Sequence, residues 1–288
     1  MRSLSLATIL MSLLCVVPAP AQNESKAARP HSPTERAWEL LDKGVTSNSG
    51  ETRRLAVGAL GLVPNNVHVV RIAEKSLRDE NPQVRAAAAT ALGKMKARAS
   101  IPKLIVALND KEPEAVLAAA QALVSLKNQR GYEVYYEVLT GERKGGKNAV
   151  AHELEVLKDP KRLAEMGVEE GIGFVPFGGM GLEAFRALRG GTEIGVRAAA
   201  AAILAHDPDG RAATALSDAT GDPNWHVRVA AIEAIAERGD PRLVSTVLSG
   251  LDDDKEAVRF AAAAAVLRLS IAKSHPQARP LTTASLAP

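Results

Sequence analysis

The stretch NPQVRAAAATAL, residues 81–92, decides the fold, because it returns along the chain. Val84-Arg85 has counterparts in Val196-Arg197, Val227-Arg228 and Val258-Arg259, the last three spaced by 31 residues. Upstream, Arg54 stands 31 residues before Arg85; downstream, Val116 in PEAVLAAAQAL keeps the pattern without the arginine. An apolar frame follows each valine: Val84, Ala88, Ala91, Leu92; Val196, Ala200, Ile203, Leu204; Val227, Ala231, Ala234, Ile235; Val258, Ala262, Ala265, Val266. Positions i, i+4, i+7 and i+8 form one stripe of an α-helix. Glu233 and Glu237 fall off that stripe and read as a solvated face. Alanine dominates because adjacent helices must approach closely, and it also has the best helix propensity.

Start signals accompany these helices. Asn81-Pro82 and Asp222-Pro223 each place a capping residue before a proline suited to the first helical position. Shorter second helices are predicted at about 65–76, 98–108, 129–139, 208–217 and 240–250, with Leu77, Leu108 and Leu139 marking three of their ends. One helical pair cannot bury its stripe alone, but stacked pairs can, so the pattern predicts an all-α solenoid. Asp79, Asp222 and Asp253 precede Arg85, Arg228 and Arg259 by six residues each. These residues are expected to form a ladder within or between neighbouring turns. Dipole compensation by the aspartates beside independently solvated arginines is the alternative.

The segments LRDENPQVRAAAATALGKM (77–95) and LDDDKEAVRFAAAAAVLRL (251–269) resemble the HEAT-like repeats named after phycobilisome lyases. The resemblance covers roughly residues 37–271, with a gap near 140–190. It implies a right-handed superhelix of about seven helical pairs, with the helices starting near Val84, Val196, Val227 and Val258 lining a concave face. It says little about activity, since such proteins include chromophore lyase subunits, an iron-dependent deoxyhypusine hydroxylase, DNA-alkylation glycosylases and plain scaffolds.

The 288 residues are 46% hydrophobic and 3% aromatic, with 36 Lys and Arg against 33 Asp and Glu. This balance excludes a disordered chain, a collagen and a disulfide-stapled mini-protein. A net charge of +3 spread along the chain does not suit nucleic acid, which would want a concentrated positive field. Arg2, the apolar run Leu4–Val17 and Ala19-Pro20-Ala21 read as a signal peptide, residues 1–21, cleaved before Gln22; an uncleaved anchor is the alternative. No later segment predicts a membrane span. The sole cysteine, Cys15, lies in that run, so a mature chain would lack thiolate metal sites, a Cys nucleophile and disulfides. These features predict an exported protein, periplasmic or secreted. The expected organisation is a flexible linker at 22–34, a repeat domain at 35–272 and a disordered tail at 273–288.

The repeat breaks before Arg197, where a Gly/Phe-rich insertion at about 168–186 reads VEEGIGFVPFGGMGLEAFR. Its phenylalanines either tuck over the side of the solenoid, or Phe174, Val175, Pro176, Phe177 and Met180 form an apolar lip for a partner. The glycines match neither a P-loop nor GxGxxG. The only tyrosines, Tyr132, Tyr135 and Tyr136, share a helix face by their spacing. They fill the core or extend the aromatic patch, with Tyr132 and Tyr136 as candidate partner contacts. The interleaved charges around Arg143, Lys144, Lys147, Lys158, Lys161 and Arg162 read as solvated surface rather than an anion site.

No catalytic constellation stands out. No two of the six histidines are three or four residues apart, and no GxSxG occurs. Only His152-Glu153 has the His-Glu form that the hydroxylase repeats, and one pair cannot fill a two-iron site. His206, Asp207 and Asp209 fit a helix turn better than a cation site. The sequence therefore reads as a non-catalytic envelope scaffold that binds a protein or peptide, with no catalytic, cofactor or metal residues assigned. An enzyme or accessory subunit of a cofactor-attachment or oxidoreductase system is the alternative.

Overall fold

Alternation of long alanine-rich helices with shorter ones governs the architecture. The computed structural model describes residues 32–140 and 193–274. The first segment holds α1 (Pro33–Val45), α2 (Gly50–Ala59), α3 (Val67–Ser76), α4 (Pro82–Lys94), α5 (Ile101–Ala107), α6 (Pro113–Ser125) and α7 (Gln129–Thr140). The second holds α8 (Glu193–Leu204), α9 (Gly210–Ala219), α10 (Trp225–Arg238), α11 (Val244–Val247) and α12 (Glu256–Ser274). The described residues form helices and connecting turns with no strand. None of those helices is long and apolar enough to cross a membrane.

Local chemistry starts these helices as the sequence suggests, with one shift. Asn81 caps α4 by accepting from the N–H groups of Gln83 and Val84. The start expected at Asp222-Pro223 lies two residues later, with Asn224 as the cap of α10. Asp222 has other work, described below. Ser32 and Glu35 form a capping box on α1, so the helix begins inside the expected linker; α12 likewise runs two residues into the expected tail. The second helix expected at 240–250 is broken into the short α11 and flanking 3-10 turns.

Packing places α8, α10, α12, α2, α4 and α6 side by side, in that order, as an inner row. The C-terminal segment thus stacks on the beginning of the N-terminal one. No described helix follows α12 in sequence, and α1 pairs with it by packing along α12 and against α2. Five pairs are consecutive in sequence (α2/α3, α4/α5, α6/α7, α8/α9, α10/α11), and a sixth joins α12 to α1. Stripe residues Val84, Ala88, Ala91, Leu92, Ala231, Ile235, Val258, Ala262, Ala265 and Val266 are fully buried. The stripe of α8 differs, since Ile203 is 54% exposed and Ala200 is exposed. Among the described residues α8 has an inner-row neighbour, α10, on one side only, and Ala199 and Ala201 are the residues it buries.

Small residues set the row's spacing. A Cβ on Gly93 would stand 3.0 Å from both Cα and Cβ of Ala122, so α4 and α6 meet almost backbone to backbone. After the inner helices the chain turns through left-handed residues: Asn65, Lys96, Lys127 and Gly239. The first three are 31 residues apart, and only the last is a glycine. A non-glycine residue there is strained by roughly 1 kcal/mol. Lys127→Gly should therefore raise stability by up to about 1 kcal/mol, partly offset by glycine's unfolded-state entropy. Urea denaturation measures this, and a loss of stability would contradict the strain argument.

Candidate interaction site

The aspartate and arginine spacing produces a ladder at the N-terminal ends of the inner helices, and its wiring crosses between pairs. Arg85 sends Nε and Nη2 to the carboxylate of Asp110, at 2.6 and 2.7 Å, and Nη1 to the carbonyl of Asp79 at 2.9 Å. Arg228 repeats this with the Asp253 carboxylate, both bonds 2.8 Å, and the Asp222 carbonyl at 3.0 Å. The Asp79 carboxylate accepts from Arg53, at 2.9 and 2.8 Å, and that of Asp222 from Arg197. So the residue six positions upstream gives each arginine a backbone carbonyl, while the carboxylate comes from the next pair. Arg259 uses the Asp253 carbonyl in the same way. Each ladder carboxylate also accepts an N–H two residues on, from Asn81, Glu112, Asn224 or Lys255.

The rung on α2 belongs to Arg53, which is buried, and not to Arg54, which pairs with Glu51 on the surface. The run from rung to left-handed turn is one residue longer in this unit, since Arg53 stands twelve residues before Asn65 and Arg85 eleven before Lys96. At Val116 the rung is absent.

Burial alone would raise the carboxyls of Asp79, Asp110 and Asp253. Arginine hydrogen bonds and the N–H two residues on outweigh it, holding all three below the ordinary aspartate value. A depressed carboxyl stabilises the fold above the unfolded pKa of about 4 and loses that contribution as pH falls through the folded value. Arg85 and Asp110 side chains are only 10% and 11% exposed, so removing one partner strands the other. Arg85→Ala should cost about 3–5 kcal/mol at pH 7. In thermal melts from pH 7 to pH 3 the gap between variant and wild type should narrow below about pH 4; a gap independent of pH would refute the linkage.

A second polar series stands at the opposite, C-terminal ends of the inner helices. Arg238 donates to the carbonyls of Leu204, Asp207 and Asp209 at the end of α8. Arg268 donates to Glu237 O at the end of α10, at 3.3 Å, and to Leu62 O just beyond α2, at 3.1 Å. Those two ends flank α12 on either side. Packed helix axes lie about 8–10 Å apart, so a straight row would separate the ends by roughly 16–20 Å. One guanidinium reaches both, so the inner row is concave at this end.

Glu233, one turn before Glu237 on α10, lies on this concavity. Its side chain keeps partial exposure, yet burial pushes its carboxyl up; the charge of Lys94 on α4 opposes that rise and Glu237 adds to it. Lys94 acts from three places along the row. Glu233 is thus not the solvated surface residue its off-stripe position suggests. Burial also pulls the Arg268 guanidinium below the ordinary arginine value, against the opposing charge of Glu237. A raised carboxyl favours folding below the unfolded pKa of about 4.3 and loses this as pH rises through the folded value. Glu233→Gln should therefore raise the melting temperature at pH 7.5 and leave it unchanged below pH 4. Equal melting shifts at both pH values would contradict this.

The tyrosines separate. Tyr135 is half-buried against the core, and burial raises its phenol; Tyr132 and Tyr136 on α7 are 47% and 66% exposed. Asp209 caps α9 and Asp207 accepts the Asp209 N–H, while His206 stands 3.9 Å from Glu237. Among the described residues no group of three or more His, Cys, Asp and Glu is placed to hold a metal ion. Phe174, Val175, Pro176, Phe177 and Met180, the insertion around them, His152-Glu153 and residues 1–21 lie outside the described residues.

Comparison with repeat families agrees with this architecture. A family model for HEAT repeats matches residues 39–124, 70–155 and 183–268. No curated protein matches the chain. Among solved structures, human deoxyhypusine hydroxylase in complex with glycerol is similar at 16% identity and a TM-score of 0.36, covering 83% of this chain and 97% of that one.

Proposed function

The chain belongs to the HEAT-repeat family, and on that premise we propose that it is a non-catalytic scaffold for protein–protein interaction in the cell envelope. The observation that carries the reading is the row of inner helices. Ladder and C-terminal arginines stitch it at both ends, and it curves around the face that holds Lys94, Glu233 and Arg268. Such a rigid array holds side chains in fixed positions over a wide surface, which suits recognition of an extended partner. The partner is a protein or peptide, in keeping with the near-balanced charge. Tyr132 and Tyr136 add exposed aromatic contact on α7. Phe174, Val175, Pro176, Phe177 and Met180 of the 168–186 insertion complete the apolar lip in this reading.

The finer features belong to the same proposal. The repeats are of the short, phycobilisome-lyase-like type, in a right-handed array of about seven pairs, one more than the described residues hold. Residues 1–21 direct export and are removed before Gln22, leaving the scaffold periplasmic or secreted. The charged start, short apolar run and small-x-small site support this.

Cross-linking in intact cells followed by mass spectrometry tests the reading. One partner should be recovered through peptides of the inner face and α7, and Tyr132→Ala/Tyr136→Ala should reduce its recovery several-fold. An unchanged yield would remove the tyrosines from the interface. Bound pigment or metal in protein from its native source would favour the cofactor-attachment alternative. A mature N-terminus other than Gln22 would contradict the cleavage site.

A further inference from the structure

We propose that α1 is a detachable strap: it lifts off α12 as a unit while the inner row stays folded. The argument starts from the ladder. Between α2 and α4, α4 and α6, α8 and α10, and α10 and α12, an arginine reaches the aspartate carboxylate of the next pair. The junction between α12 and α2 calls for the same rung, from Arg259 to the residue six before Arg53. That residue is Ser47. It fills the backbone half of the motif, since its carbonyl accepts from Arg53 Nη1 at 2.9 Å. It has no carboxylate to offer. Among the described residues, Arg259 meets only Glu256 of its own helix, at 3.5 Å, and the carbonyls of Asp253 and Asp254.

The bonds that do cross this junction mostly hold α2. Thr52 donates to Glu256 at 2.9 Å, and Arg268 donates to Leu62 O. α1 is tied by the ion pair of Arg36 with Asp252, whose side chains are 42% and 69% exposed. Exposed pairs contribute little. Its apolar contacts are close: Ala37, Leu41 and Gly44 are buried, and a Cβ on Gly44 would stand 2.6 Å from the Phe260 ring. Every other outer helix follows its inner partner after a short turn. α1 and α12 are joined by no short connection, because some two hundred residues separate them in sequence. Lifting α1 therefore breaks its packing on α12 and α2, the edge-on contact of Trp38 with the His68 ring at 5.5 Å and the exposed Arg36–Asp252 pair, and leaves all four rungs intact. The opening uncovers Phe260 on α12.

Hydrogen exchange on the full chain, read by mass spectrometry, tests the strap. Amides of residues 36–45 should exchange at one common rate, at least tenfold faster than those of α4 and α6. Ser47→Asp, which supplies the absent carboxylate to Arg259 just beyond the end of α1, should slow α1 at least threefold and leave α6 unchanged. Protection in α1 equal to that in α4 would overturn the proposal. So would a gradient rising inward from Pro33, which is end fraying, or a Ser47→Asp effect spread equally over all helices. If Ser47→Asp does not fold, the wild-type rates alone decide between these outcomes.

Discussion

No helical pair in this chain can bury its own apolar stripe, and everything else in the structure answers that constraint. The inner helices are so rich in alanine that each offers little apolar surface per residue. Burial then requires close approach on two sides at once, which is why Ala88, Ala89, Ala119, Ala262 and Ala263 are all fully buried. Close approach in turn demands small residues at the crossings, as at Gly93 against Ala122. At the end of the described row the stripe is partly exposed, as Ile203 of α8 shows. The same constraint explains why α12, which no described helix follows, takes α1 from the other end of the described chain.

Polar groups do a different job. Apolar stacking is non-directional and does not fix how far one pair rotates on the next. The ladder does, because a bidentate guanidinium–carboxylate contact tolerates little rotation. Placing it at the N-terminal ends, with Arg238 and Arg268 at the C-terminal ends, pins α8, α10, α12 and α2 at two points each. Arg268 holds both neighbours of α12 with one side chain and draws their ends together, which curves the row. The concavity brings Lys94 near Glu233 and sets the electrostatics of the inner face.

Much of this was legible in the sequence, for a physical reason: a 31-residue period imposes the same contacts on every unit. The stripe, the second helices and the involvement of Asp79, Asp222 and Asp253 follow from it. The failures fall where the period slips or where distant parts meet. One extra residue between α2's rung and the turn at Asn65 moves the rung from Arg54 to Arg53. The ladder spacing of six does not reveal that the carboxylate belongs to the previous pair's arginine, since a side chain and its own carbonyl share one position in sequence but point apart. Glu233 lies off its stripe, and on an isolated helix it would face water; curvature of the row removes part of that water. Tyr132, Tyr135 and Tyr136 share a helical face, yet an arc that wide spans both core and surface. Nothing in a repeat says which units meet end to end, so the pairing of α12 with α1 could not be read at all.

That pairing is the central structural claim, and ring proximity tests it most directly. The sequence has four phenylalanines, so selective labelling gives few ring signals to resolve. A nuclear Overhauser effect between the Gly44 α protons and the Phe260 ring, with the Gly44 signals displaced by the ring current, is the result predicted here. Gly44 signals at ordinary positions, with no Overhauser effect to any phenylalanine ring, would show that the two ends of the described chain do not form one helical pair.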